Sequence, residues 1–168
     1  MYKAGGYRPI DNVTRFVGAV SAVVLALLVA LIVYDATARY LFHSGSVALQ
    51  ELEWHLFDVV ILLGIAYTLR ENAHVRVDIF YDRFSGRTKA WINLLGTLLF
   101  ILPFSALIVY VGSEFVLLSF EQMECSSDPG GLPYRFLVKS LMPLAFVLLA
   151  LQGVSEMRRA WRLLRGDA

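Results

Sequence analysis

Long apolar stretches separated by short polar ones dominate the pattern along the chain. Residues 16–34 and 90–113 contain no charged side chain. Each of these stretches is long enough to cross a bilayer, which takes about 20 residues. Residues 54–69 and 140–155 form two weaker stretches, and the first of them carries Asp58. The pattern predicts four transmembrane helices, at about residues 13–38, 54–70, 89–117 and 135–160.

The polar segment between the first two spans predicts a further element. Residues 39–53 are too polar to span a membrane and too apolar to be freely solvated. Ser46 is a residue type that caps helices, and Leu49 and Leu52 follow it at helical spacing. We therefore expect a short interfacial helix at about residues 45–53 that leads into the second span.

Composition supports the same class of protein. Hydrophobic residues make up 58% of the 168 residues, and the mean hydropathy of +0.62 is well above that of a soluble domain. The expected fold class is an all-α membrane protein, with residues 1–168 forming a single integral membrane domain. The net charge of +1 gives no indication of a nucleic-acid partner. Cys125 is the only cysteine, so an intrachain disulfide is excluded.

The basic residues predict the orientation of the spans. Twelve of the 15 lysines and arginines lie before the first span, between the second and third, or after the fourth. Only Arg39, Arg135 and Lys139 lie at the opposite ends. Because basic residues accumulate on the cytoplasmic side, we expect both termini in the cytoplasm. The connection between the third and fourth spans, which is acidic, then faces outward.

Three polar residues form a stripe at the start of the second span. Glu51, His55 and Asp58 have the spacing i, i+4 and i+7, which places them on one helix face. Charged groups facing lipid are costly, so the stripe meets either protein or water. A polar seam that docks onto neighbouring helices is the favoured interpretation, and a proton or ion site is the alternative. Metal binding is disfavoured, because residues in one line do not surround an ion.

Two further polar groups are candidates for structural or interface roles. Asp35 and Arg39 have the spacing of an ion pair within one helix, although Arg39 could instead clamp Glu51 or Glu53. After the second span, the polar residues alternate with apolar ones, which indicates a loop that packs against another surface. The candidate interface residues of this loop are His74, Arg76 and Asp78.

Several function classes lack the residues they require. The sequence contains no nucleophile–base pair, no phosphate-binding glycine loop and no metal-ligand spacing, so neither an enzyme nor a bound cofactor is expected. Haem would need two facing histidines, but only His55 lies near an apolar span. An ion-coupled carrier normally has a polar site at the membrane midplane, whereas the first and third spans carry no charge in their centres. An accessory subunit is therefore favoured over a stand-alone small carrier or channel.

The polar motifs, taken in order, resemble those of the small membrane subunit of tripartite ATP-independent periplasmic (TRAP) transporters. The resemblance covers about residues 15–155, and residues 49–56 are similar to the branch linked to mannitol or chloroaromatic-type substrates. The chain departs from the family pattern at Gln50, which replaces the first acid of a glutamate pair, and at Trp54, which follows that pair. The motifs are Arg39-Tyr40-x-Phe42, Gln50-Glu51-Leu52, Leu63-Gly64, Leu69-Arg70 and His74-Val75-Arg76-Val77-Asp78.

The family resemblance implies a role in import across the bacterial inner membrane. In such systems a sodium gradient drives uptake of organic acids or similar solutes. A periplasmic solute-binding protein captures the solute, and a large permease subunit moves it. The small subunit, embedded among membrane lipids, would brace the large one and bind neither sodium nor substrate. We expect the stripe to be a docking surface, and Glu51 with Arg39 to fix the angle between the interfacial helix and the second span.

Overall fold

The computed structural model describes residues 8–71 and 84–165 of the chain. Within these ranges it contains helices and no strand. Four helices are long and apolar enough to cross a membrane, which confirms the predicted fold class. They are α1 (Arg8–Leu41), α2 (Val47–Arg70), α3 (Gly86–Glu121) and α4 (Phe136–Arg165). The candidate residues His74, Arg76 and Asp78 lie outside the described residues.

The helices extend beyond the predicted spans, most clearly at the start of α2. The segment predicted as a separate interfacial helix forms the first turns of α2 and continues without a break into the span. No glycine or proline between Val47 and Gly64 interrupts the helix. Ser46 occupies the N-cap position with an extended backbone (φ −126°), but its hydroxyl makes no capping hydrogen bond.

The helix α4 is the centre of the bundle. It packs against α2, against both halves of α3, and against the beginning of α1, while the rest of α1 packs against α2. Consecutive helices are antiparallel. The start of α1 and the end of α4 therefore lie together, at what we call the termini end. The connections at residues 42–46 and 122–135 lie at the opposite end, called the loop end.

Small residues bring α1 and α2 close together. A Cβ atom added at Gly18 would lie 2.5 Å from the Tyr67 ring, so only glycine fits there without moving the ring. One turn later, the Ser21 hydroxyl donates a hydrogen bond of 2.9 Å to the Val60 carbonyl. Small residues and interhelical hydrogen bonds are the usual basis of helix association in lipid, where the hydrophobic effect contributes little.

A π-helical turn interrupts α3 at Thr97–Ile101. Pro103, which has no backbone N–H to donate, follows this turn directly, and a local change of helical pitch accommodates such an interruption. The turn packs against α4, where a Cβ atom at Gly153 would lie 3.1 Å from the Thr97 methyl group. Proline also occurs inside α4, at Pro143.

Candidate functional site

A buried carboxylate organises the loop end. Glu51, in the second turn of α2, is only 4% exposed. Its carboxylate accepts hydrogen bonds from the Ser126 hydroxyl, from the Leu132 backbone N–H at 2.5 Å and from the Arg135 guanidinium at 3.3 Å. These contacts join α2 to the α3–α4 loop and to the start of α4.

The α3–α4 loop is shaped so that it can enclose this carboxylate. The Ser126 backbone N–H donates to the Leu132 carbonyl at 3.1 Å, which closes the loop on itself. Gly130 has a positive φ of 82°, which favours glycine. A Cβ atom at Gly131 would lie 2.4 Å from the Ser126 side chain and 2.8 Å from a Glu51 oxygen. The close approach of this loop to Glu51 therefore requires glycine at position 131.

Two cations complete the cluster at the loop end: Arg135, immediately before α4, and Lys139, in its first turn. The Arg135 guanidinium lies 5.4 Å from the centroid of the Trp54 ring. Lys139 forms an ion pair with Glu124, and its ammonium lies 4.0 Å from the centroid of the Phe115 ring. The hydrogen bond from Lys139 holds the pKa of the Glu124 carboxyl below its usual range. Each cation thus has its own carboxylate and its own aromatic ring.

The other two residues of the predicted stripe have different surroundings. His55 lies in a crevice formed with the end of the α3–α4 loop and the first turns of α4. Its Nε2 atom is buried and has no hydrogen-bond partner among the described residues. Asp58 lines a second crevice, of about 340 Å³, between α2, α3 and α4. Glu51 therefore makes its contacts within the chain, whereas Asp58 has no hydrogen bond or ion pair with any residue that the structure describes.

Arg39 does not contact Glu51, contrary to the expectation that these two residues fix an interhelical angle. Arg39 forms an ion pair with Asp35, one turn earlier on α1, as the i, i+4 spacing predicts. Asp35 is 2% exposed. A partner on the same helix is already within reach, so pairing with it orders fewer degrees of freedom. Glu51 takes its cation from α4 instead.

A second polar cluster, which the sequence reasoning did not identify, joins α1 to α4 at the termini end. The Thr14 hydroxyl donates to the Gln152 Oε1 atom at 2.9 Å. The Gln152 amide nitrogen donates to Asp11 and to Glu156, each at 3.3 Å. Arg159 donates to Glu156 at 3.0 Å and lies 3.9 Å from Asp11. Two carboxylates, one guanidinium and one amide thus satisfy one another.

A signal for this cluster is present in the sequence. Gln152, Glu156 and Arg159 have the same i, i+4, i+7 spacing as Glu51, His55 and Asp58. The arginines at the end of α4 also fit a topology signal, which is why their presence alone does not indicate a cluster. Gln152 is fully buried, which makes it the most enclosed member of the cluster.

The described part of the chain shows a helical membrane protein whose polar clusters serve contacts between its own elements. Among the residues described, no group of three or more His, Cys, Asp or Glu side chains could hold a metal ion. The arrangement can join helices and order a loop. It defines a multi-pass membrane protein with structural polar clusters at both ends of the bundle.

Comparison with known families assigns the chain. The model of the family described as "Tripartite ATP-independent periplasmic transporters, DctQ component" matches residues 28–163. The chain therefore belongs to this family, the small permease subunits of TRAP transporters, as the sequence motifs indicated. No curated protein matches the chain. Membership implies a multi-pass protein of the bacterial inner membrane that works with a large permease subunit and a periplasmic binding protein.

Proposed function

We propose that this chain is the scaffold of a sodium-driven importer of organic acids or related small solutes. It braces the large permease subunit and helps to dock the periplasmic binding protein. One observation carries the proposal: the bundle has a polar cluster at each end. One cluster attaches α1 to α4, and the other attaches α2 to the loop that leads into α4.

Bracing requires a body that keeps its shape under load. At the loop end, Glu51 joins α2 to the α3–α4 loop, up to Arg135 immediately before α4. At the termini end, Gln152 joins α1 to α4. There, Ala90 and Leu94 of α3 also pack against Ala160 of α4 in a buried apolar cluster. Both α2 and α3 therefore pack directly against α4. The start of α1 contacts α4, and the rest of α1 is held through α2.

Docking of the binding protein is supported by the loop end. The expected orientation, with both termini in the cytoplasm, places residues 122–135 in the periplasm. Exposed residues of this end include Glu121 and Asp128, and the Glu51 contacts keep the loop in one conformation. A preformed, exposed loop is suited to recognition, because little conformational entropy is lost when a partner binds.

The proposal assigns sodium coupling and solute binding to the large subunit. Residues 140–155 of the central helix α4 contain no charged side chain. Transporters usually place such sites near the midplane, between interrupted helices. The π-helical turn of α3 is the interruption nearest to this pattern, but its Thr97 packs against Gly153 rather than lining a cavity.

Uptake by reconstituted vesicles tests the proposal. Vesicles would contain this chain alone, or this chain with the large subunit, each with the binding protein added outside and with or without a sodium gradient. We expect uptake of the solute only with both subunits and the gradient. Uptake by this chain alone would contradict the proposal and favour a stand-alone carrier or channel.

A further inference from the structure

Asp58 is a carboxylate near the loop end that forms no ion pair with any cation the structure describes. Arg135 pairs with Glu51, and Lys139 pairs with Glu124. Asp58, on the same side of α2, has neither a hydrogen bond nor an ion pair with any described residue. His55 lies one turn earlier on the same helix and interacts electrostatically with Asp58.

Asp58 lies in a crevice whose lining is mostly apolar but also includes Arg135 and Lys139. Its crevice of about 340 Å³ has walls from α2 and α3 and a floor from α4. Phe57, Ile61 and Phe115 flank the carboxylate and are each about half exposed. A single water takes roughly 30 Å³, so the crevice has room for a long side chain. A carboxylate facing lipid from such a crevice is costly, and partners usually cover such groups.

We propose that Asp58 receives a lysine or arginine side chain of the large permease subunit in this crevice. The inference rests on the proposed assembly with that subunit. The two cations already in the crevice are directed to other carboxylates and held over the Trp54 and Phe115 rings. Neither of these two cations is therefore available to Asp58, and charge complementarity favours a cation that a partner supplies. The half-exposed aromatic and aliphatic rim would exclude water around the pair, as the rim of a binding hot spot does.

Co-purification of the two subunits tests this proposal. A tag on this chain would recover the large subunit from membranes for the wild type, for Asp58→Asn and for Asp58→Lys. We expect Asp58→Lys to lower the recovery roughly tenfold or more, because two buried cations would then face each other. Asp58→Asn should lower it by a smaller factor. The matched control is Glu121→Lys, an exposed position at the end of α3, which should leave recovery unchanged.

A charge swap identifies the partner residue. In the Asp58→Lys background, each lysine and arginine within the spans of the large subunit would be replaced by glutamate, one at a time. One of these replacements should restore recovery. Because Asp58 makes no hydrogen bond with any described residue, Asp58→Asn should keep the wild-type helix content and thermal midpoint.

The outcomes separate this inference from the proposed function. If wild-type chain does not recover the large subunit, the proposed assembly itself fails. If the wild type and both Asp58 variants recover it equally, only the inference on Asp58 is overturned. A lipid ammonium in the crevice is the other occupant to exclude. If Asp58 affects recovery in phosphatidylethanolamine but not in phosphatidylglycerol alone, the cation comes from lipid and the proposal is wrong.

Discussion

Replacement of Gln152 by leucine tests how α1 is held to the rest of the bundle. Gln152→Leu preserves the approximate size of the side chain but removes the acceptor for Thr14 and the donor to Asp11 and Glu156. Thr14 is 2% exposed, so its hydroxyl would lose its partner in a buried place. Asp11 and Glu156 would keep their interactions with Arg159.

The expected cost follows from these contacts. An interhelical hydrogen bond in a membrane protein contributes about 0.6 kcal/mol on average and up to about 1.7 kcal/mol. Gln152 makes two interhelical hydrogen bonds, with Thr14 and Asp11, and a third within α4, with Glu156. We therefore expect Gln152→Leu to lower the free energy of unfolding by about 2 kcal/mol. Thr14→Val removes one neutral bond and should cost about 0.6 kcal/mol. The double variant should lose less than the sum, because the two residues share a contact.

Unfolding in mixed micelles measures these differences. The helix content would be followed by far-ultraviolet circular dichroism as the fraction of dodecyl sulfate rises. The matched control is Gln50→Leu, the same chemical change at an exposed position of α2, which should remain within about 0.5 kcal/mol of the wild type. If Gln152→Leu unfolds at the wild-type dodecyl sulfate fraction, the termini-end cluster does not hold α1 to α4.

Four further predictions concern the helix packing, the loop, the Glu124 ion pair and the topology. Gly18→Ala should destabilise the bundle by about 1–3 kcal/mol in the same unfolding measurement, because the new methyl group meets the Tyr67 ring; an unchanged midpoint would contradict the close contact of α1 and α2. Gly131→Ala should displace the loop from Glu51 and increase proteolytic cleavage within residues 122–135, and wild-type cleavage rates would refute this. The pKa of Glu124 is lowered in the folded state, so its contribution to stability is present above the ordinary carboxyl range and is lost as pH falls through the lowered value. The thermal midpoint of the wild type should therefore fall more steeply with acid than that of Glu124→Gln. Parallel profiles of the two proteins would exclude this contribution. A reporter domain that is active only in the cytoplasm should be active when fused to either terminus. Activity of a periplasm-specific reporter at these positions would contradict the predicted topology.

The spans were predictable from the sequence because hydropathy reports directly on burial in lipid. The ends of the helices were not, since a helix continues into the headgroup region without an apolar signal. The segment at residues 45–53 shows this limit, because its polar composition suggests a separate element. It is nevertheless continuous with α2, since no helix-breaking residue separates the two. The π-helical turn at Thr97–Ile101 depends on packing against α4 and has no sequence signal beyond the nearby Pro103.

The pairing of the polar residues was predictable only within one helix. The Asp35–Arg39 pair follows from spacing alone. The partner of Glu51 depends on which helix lies beside α2, and that helix proved to be α4, which is distant in sequence and contributes Arg135. Spacing likewise groups Glu51 with Asp58, but the described contacts divide them: the first is enclosed by its own chain and the second is open to a partner.

A covalent lock between α1 and α2 tests most directly whether the chain acts as a rigid scaffold. A Cβ atom at Gly64 would lie 3.7 Å from the Ser21 hydroxyl oxygen, so cysteines at these two positions are close enough for a disulfide. The pair would be introduced with Cys125→Ser, and uptake by the complete transporter would be measured before and after reduction. A scaffold predicts the same uptake rate in both states. Loss of uptake on oxidation, restored by a reductant, would show that α1 and α2 move during transport and would contradict the scaffold role.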